Sequence, residues 1–469
     1  MDRYRPRYHF TPPANWMNDP NGPFQLNGEY HLFYQHNPSA PVWGDIHWGH
    51  AKSKDLIHWE RLPIALAPSV ELGELHCYSG CSVVDGEEVR LFYTSIGEGE
   101  RNATTGAQQW TVKGEGNDLL AWRKPGEINP LLTTELHGDL QVTEWRDPYV
   151  WKEQDEWRML LGGTYEGRGC ALIYQSADLE NWTFNGIFHL GEETIFECPH
   201  LFRFGDRAVL FYSPSSPVQY VSGVIRDNKL SGELVKGTVD FGGWDGYYAS
   251  TGFVDEKGRR ILHGWVPESR GENFPVALDW AGALALPRIG ELKENGKLSI
   301  TPIPEAETLR GESRTFTELR VGASPLDTGV RSTAFECSLT IQKPAAGTGE
   351  LIVSVLASAC GRERTELRVD FAGGTVAVDR TQSSLFPEVR KTALVGALNL
   401  DDAAETINLR FFVDQSIIEV FAGDETCITA RVYPSLDDSS GIHLQAIGEV
   451  HIAAMEIWEL KAAEIHDVK

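Results

Sequence analysis

Five segments of this 469-residue chain repeat one pattern, a turn carrying Gly or Asp followed by an apolar strand. They read NGEYHLFYQ (27–35), DGEEVRLFYT (85–94), QDEWRMLLGG (154–163), FGDRAVLFYS (204–213) and EKGRRILHGW (256–265). Their matching leucines, Leu32, Leu91, Leu160, Leu210 and Leu262, lie 59, 69, 50 and 52 residues apart. That spacing suits one four-stranded sheet with its loops. A second pattern, Asp-Leu-x-x-Trp, follows the first three of these strands at 55–59, 118–122 and 178–182. No long stretch of helical period occurs before residue 300, so five copies of a four-stranded unit predict a five-bladed β-propeller.

Thirteen residues before each matching leucine stand Asp19, Tyr78, Asp147, Glu197 and Ala249. Three of the five are carboxylates, and each is followed at once or within two residues by proline, in NDPNG, RDPY and ECPH. A residue before proline is pushed towards extended geometry, and proline cannot extend a hydrogen-bonded ladder. The three acids are therefore expected at strand ends, converging at one mouth of the propeller axis. A structural origin, acids capping backbone N–H groups at blade corners, explains one such residue well. Three carboxylates around one axis repel one another, which makes a purely structural role costly and points to a functional site.

Composition narrows the chemistry. A formal charge of −25 repels nucleic acid and anionic membranes, so the expected partner is a neutral small molecule. Seven cysteines without a repeated spacing suggest a reducing compartment rather than a disulfide framework. The opening residues lack an apolar signal segment, and the chain is read as cytoplasmic unless a leader was removed. Cys77 with Cys81, and His47 with His50, lack the partners a zinc site needs, so neither metal nor cofactor is expected.

Converging carboxylates in a neutral-sugar pocket suit glycoside hydrolysis, in which one acid protonates the leaving oxygen and another attacks. Asp19 lies in a polar turn beside Asn18, which favours the charged form and the nucleophile's role. Glu197 lies among Ile195, Phe196, Cys198 and Pro199, an apolar run that suits a proton donor. Asp147 follows Arg146, whose charge is expected to keep it ionised for binding hydroxyls and stabilising positive charge in the transition state.

The blocks WMNDPNG (16–22), YHLFYQHNP, WGHAKSKDLIHWERLPIAL, WRDP and FECPHLF, with ALPRIGEL (284–291) and FFVDQSIIEVFAGDE (411–425), resemble the signatures of glycoside hydrolase family 32. That family includes invertases, inulinases, levanases and sucrose-6-phosphate hydrolases. The resemblance covers nearly the whole chain. It implies a five-bladed propeller with a C-terminal β-sandwich, retaining cleavage of terminal β-D-fructofuranosides, and Asp19, Asp147 and Glu197 as nucleophile, transition-state stabiliser and acid/base. It further places Asn18, Gln35, Trp43, Tyr78, Ser79, Arg146, Tyr248 and Trp265 around the sugar. In GWDGYYAS, Tyr248 rather than Asp245 matches the family block. Trp145 and Phe196 depart from the family's aromatic choices beside two of the acids, which bears on leaving-group preference.

Beyond the segment LSITPIPEAETLRGES, period-two strands such as TELRVDFAGGTVAVDR (365–380) take over and read as an antiparallel sandwich. The expected division is a catalytic propeller at 1–305, a linker at 306–315 and a sandwich at 316–469. The sandwich acids Asp414 and Glu419 are expected to support the propeller or to make a homo-oligomer contact. The expected activity is an exo-β-fructosidase on sucrose and short fructans. Its rivals are a fructosyltransferase using the same site and a non-catalytic sugar-binding propeller.

Overall fold

The computed structural model describes residues 2–271, 274–344, 349–398 and 405–468. Before residue 303 the strands form five mainly antiparallel sheets, and in the first the short strand Trp280–Ala281 also pairs in parallel with Asn15 and Trp16. The innermost strands are Asn15–Leu26, His76–Asp85, Val142–Glu153, Glu197–Phe204 and Tyr248–Val254. They pack against one another in that order, and the fifth packs against the first, closing the ring. The five matching leucines sit on the second strands and are buried. This is the predicted propeller.

The Asp-Leu-x-x-Trp motif makes the turn between the third and fourth strands of a blade. Asp55 accepts hydrogen bonds from the backbone N–H groups of Ile57 (2.9 Å) and His58 (2.8 Å), and Asp178 does the same for Glu180 (2.9 Å) and Asn181 (2.7 Å). The leucine takes a left-handed conformation (φ 67° at Leu56, 66° at Leu179). The indoles of Trp59 and Trp182 then donate to those leucine carbonyls, at 3.2 Å each.

Every innermost strand carries a β-bulge near its start. Pairing with the second strand skips Asn18 and Asp19 in blade one, Tyr78 and Ser79 in blade two, Asp147 and Pro148 in blade three, Cys198 and Pro199 in blade four, and Ala249 and Ser250 in blade five. A bulge bends the strand and re-aims its side chains. Loop lengths differ slightly between blades, so the uniform thirteen-residue step lands on neighbouring positions: Asp19 is the second bulge residue, Asp147 the first, and Glu197 the last paired residue before the bulge.

From Arg310 onwards two six-stranded sheets face each other around a core that includes Phe335, Leu339, Val353, Leu367, Phe411 and Ile452. Residues 306–315 fall in the 3-10 turn Pro304–Leu309 and the start of the strand Arg310–Val321. The segment Ile465–Asp467 returns to the propeller and pairs in parallel with the outermost strand of blade one, Trp59–Leu66.

Asp414 and Glu419 face the propeller. Asp414 accepts from the backbone N–H groups of Arg7 (2.7 Å), Tyr8 (2.9 Å) and His9 (3.0 Å), and pairs with His9 Nδ1 at 2.9 Å. Glu419 meets His9 Nε2 at 2.8 Å and Arg288 Nη2 at 2.6 Å, while Arg288 Nη1 reaches Asp240 at 2.8 Å. All these side chains are fully buried, so they clasp the two domains together.

Candidate active site

Bulge residues of four blades, with their neighbours, line one cavity of about 360 Å³ at a mouth of the propeller axis. Asp19, Asp147 and Glu197 all line it, together with Asn18, Gln35, Trp43, Tyr78, Arg146, Tyr248 and Trp265. Ser79 lies beneath, its hydroxyl donating to Asp19 Oδ2. The sequence-predicted residues are thus brought to one place.

Asp19 is held by a polar network. Its carboxylate accepts from Ser79, from Asn18 Nδ2 at 3.0 Å and from Gln35 Nε2 at 3.4 Å, with the Cys198 thiol 3.7 Å away. Gln35 also donates to Ser79 and accepts from Asn18 at 2.8 Å, so two blades fix one rotamer. Burial raises the Asp19 pKa, opposed by the hydrogen bonds from Ser79 and Asn18 and reinforced by the charge of Glu197.

Asp147 is the most buried of the three, 5% exposed. Its backbone is left-handed (φ 64°), as at Cys198 (φ 49°) and Ala249 (φ 49°). Such conformations are costly for residues other than glycine and persist where the surroundings impose them. Here the Asp147 N–H donates to Thr94 Oγ1 at 2.9 Å, and Oδ2 accepts from the Cys198 N–H at 2.8 Å. Burial pushes the Asp147 carboxyl up to about 7, against the pull of Arg146 and the Cys198 N–H.

The guanidinium of Arg146 does not bond to its neighbour Asp147. Both side chains line the cavity, but Arg146 Nη2 meets Glu197 Oε1 at 2.8 Å while Nη1 pairs with Glu144. Glu197 Oε2 accepts from the Tyr248 hydroxyl, which in turn accepts from the Ser215 N–H at 2.8 Å. The apolar sequence neighbours of Glu197 therefore do not surround its carboxyl; an arginine and a tyrosine do.

Trp145 and Phe196 also point away from the pocket. Trp145 donates to the Tyr174 hydroxyl at 2.9 Å inside blade three, and Phe196 stacks on Tyr212 with ring centroids 3.8 Å apart. Neither lines the cavity. Trp48 is fully buried, donating to the Tyr78 carbonyl at 3.0 Å.

Three lining residues escaped sequence reasoning: Trp16, Cys198 and Trp244. Trp16 opens the WMNDPNG block and fixes Asn18 through its indole N–H (2.7 Å). Trp244 had a signal only in its nearness to Tyr248. Asp245 turns to the sandwich, pairing with Arg390 at 2.9 Å and Arg380 at 3.2 Å. Among the described residues no group of three or more His, Cys, Asp or Glu side chains is placed to hold a metal ion.

Residues 9–302 match the model for the glycosyl hydrolases family 32 N-terminal domain, and residues 305–459 match that for the family 32 C terminal. The chain belongs to glycosyl hydrolase family 32. It is a glycoside hydrolase. Among its family relatives, a cell wall isozyme of beta-fructofuranosidase from Zea mays is 32% identical, with 97% of this chain and 90% of that protein aligned. A sucrose-6-phosphate hydrolase from Zymomonas mobilis is 30% identical over 98% of this chain and 93% of that protein. Among solved family 32 folds, fructan 1-exohydrolase IIa from Cichorium intybus, crystallised in complex with 1-kestose, superposes with a TM-score of 0.90 at 26% identity, covering 100% of this chain and 99% of that one.

Proposed function

We propose that this protein is a retaining exo-β-fructosidase that hydrolyses terminal β-D-fructofuranosides, with Asp19 as nucleophile, Glu197 as acid/base and Asp147 as transition-state stabiliser. The observation that carries the reading is the delivery of three carboxylates by three blades into one cavity, each in a different hydrogen-bonding environment. Names among the relatives, beta-fructofuranosidase and sucrose-6-phosphate hydrolase, support the same chemistry.

In this mechanism Glu197 gives its proton to the glycosidic oxygen while an Asp19 oxygen attacks the anomeric carbon, breaking the bond to the leaving sugar and forming a fructosyl ester. Glu197, now ionised, takes a proton from water as that water attacks the same carbon and releases Asp19. The Ser79, Asn18 and Gln35 donors hold Asp19 in one rotamer for attack. Arg146 and Tyr248 fix the Glu197 carboxyl. Asp147 binds sugar hydroxyls, and the positive charge growing at the anomeric carbon favours its ionised form. A cavity near the lower end of the usual range for ligand sites supports capture of a chain end.

Arg146 is the one cationic residue lining the cavity among the described residues, and Glu144 and Glu197 already engage it. A phosphate group wants charge-assisted donors of its own, so the favoured substrate is unphosphorylated. All seven cysteines are unpaired, which supports work in a reducing, cytoplasmic setting. Catalysis is assigned to the propeller, residues 1–305, with the sandwich from 316 in support.

The test is a time course of free glucose and fructose on sucrose, beside sucrose 6-phosphate at equal concentration. Equal release of the two sugars from sucrose, with a higher kcat/KM than for the phosphorylated substrate, is expected. Glucose in clear excess would mean fructosyl transfer instead, and a preference for the phosphate ester would overturn the assignment of a neutral substrate.

A further inference from the structure

Trp244 lines the cavity and stands at its rim with 44% of its surface exposed. Its ring stacks on Tyr248 with centroids 4.3 Å apart and an interplanar angle of 23°, and it meets Trp265 edge-on at 5.7 Å. Tyr248 in turn donates to Glu197. The wall that carries the proposed proton donor therefore ends in a solvent-facing indole. A proton donor must reach the glycosidic oxygen, so the sugar beyond that oxygen lies on this side of the pocket.

The loop that carries Trp244 is held by the second domain. Asp245 pairs with Arg390 Nε at 2.9 Å and Arg380 Nη2 at 3.2 Å, and accepts from the Thr392 hydroxyl at 3.3 Å. Arg390 Nη2 also donates to the carbonyls of Glu268 (2.8 Å) and Trp244 (3.4 Å). Arg380, Arg390 and Thr392 lie in the sandwich between the strands Thr375–Asp379 and Leu394–Ala397. The contact is close on the other side too, since a Cβ built on Gly246 would stand 1.7 Å from the Thr429 carbonyl oxygen.

We propose that Trp244 is the platform for the leaving-group sugar, and that Asp245 and Arg390 are positioning residues through which the sandwich domain sets leaving-group preference. The proposal rests on the fructosidase reading and deepens it. The indole offers a flat apolar face to the C–H face of a pyranose ring, as in the glucosyl half of sucrose. The clamp keeps that face at one height above Glu197. Arg390 is 54% exposed and touches neither the cavity nor its acids, so its influence runs through Trp244.

The experiment measures kcat/KM on sucrose and on methyl β-D-fructofuranoside, whose leaving group is methanol, for the parent, Trp244→Ala, Asp245→Asn, Arg390→Ala and Arg390→Lys. The ratio of the two values on one preparation is independent of the folded fraction. We expect the sucrose-to-methyl-fructoside ratio to fall about tenfold in Trp244→Ala, as for loss of a stacking contact of about 1.4 kcal/mol. It should fall severalfold in Asp245→Asn and Arg390→Ala, mainly through KM for sucrose, and recover in part in Arg390→Lys. An unchanged ratio in Trp244→Ala, or in both clamp variants, would overturn the proposal. A parent enzyme that cleaves neither substrate would refute the fructosidase reading itself.

Discussion

Raising the pH from about 6 to about 9.5 tests the clasp that joins the two domains. His9 has no side-chain exposure and lies 2.9 Å from Asp414 and 2.8 Å from Glu419. Burial lowers its pKa, but the hydrogen bonds to the two carboxylates and their charges outweigh burial and lift it from 6.5 to about 9. The Tyr8 hydroxyl nearby is raised well above its ordinary value, chiefly by burial, and stays neutral across this range. The folded protein thus keeps a proton that the unfolded chain releases. The stabilisation is fully present below about pH 6.5 and is lost as the pH rises through about 9, and the separation is worth about 3 kcal/mol. Urea unfolding of the parent and of His9→Gln across this range isolates the contribution. The parent's advantage should shrink by about that amount between about pH 6 and about pH 9.5. An advantage that does not change with pH would refute a charged His9.

Other substitutions probe other parts of the account. Glu197→Gln keeps the size of the side chain and should lower kcat on sucrose by roughly 10²- to 10⁴-fold, with the urea midpoint little changed; near-parental kcat would remove Glu197 from the chemistry. Arg288→Ala leaves Asp240 and Glu419 buried without their shared partner and should cost about 3–5 kcal/mol in denaturant unfolding. Gly246→Ala drives a methyl group into the Thr429 backbone and should cost at least about 1–3 kcal/mol, while lowering the sucrose-to-methyl-fructoside ratio as Asp245→Asn does. Ser79→Ala removes the hydroxyl that donates to Asp19 and should reduce kcat more than it raises KM for sucrose, since it disturbs the attacking group.

The propeller was legible because its repeat lies in local patterns that each blade needs for itself: a turn, a buried leucine, an Asp-capped loop. The convergence of the acids was legible from the same register, although the bulges shift the three by one position each way. What the sequence could not reveal were contacts made across blades and domains. Arg146 adjoins Asp147 in the chain, yet its guanidinium hydrogen-bonds to Glu197. Glu197 has apolar neighbours in sequence, yet Tyr248 from the next blade bonds to it. Trp145 and Phe196 flank acids but face blade interiors. Asp414 and Glu419 do brace the propeller, but their partner His9 lies over 400 residues away and no local pattern points to it.

The central claim is that Asp19 attacks the anomeric carbon with Glu197 as its acid/base partner. Its most direct test is an NMR time course of sucrose cleavage at high enzyme concentration, fast enough to see which anomer of fructofuranose appears before mutarotation. The account predicts the β-anomer first, the outcome of two displacements at one carbon. First appearance of the α-anomer would mean a single displacement by water and would contradict the role given to Asp19.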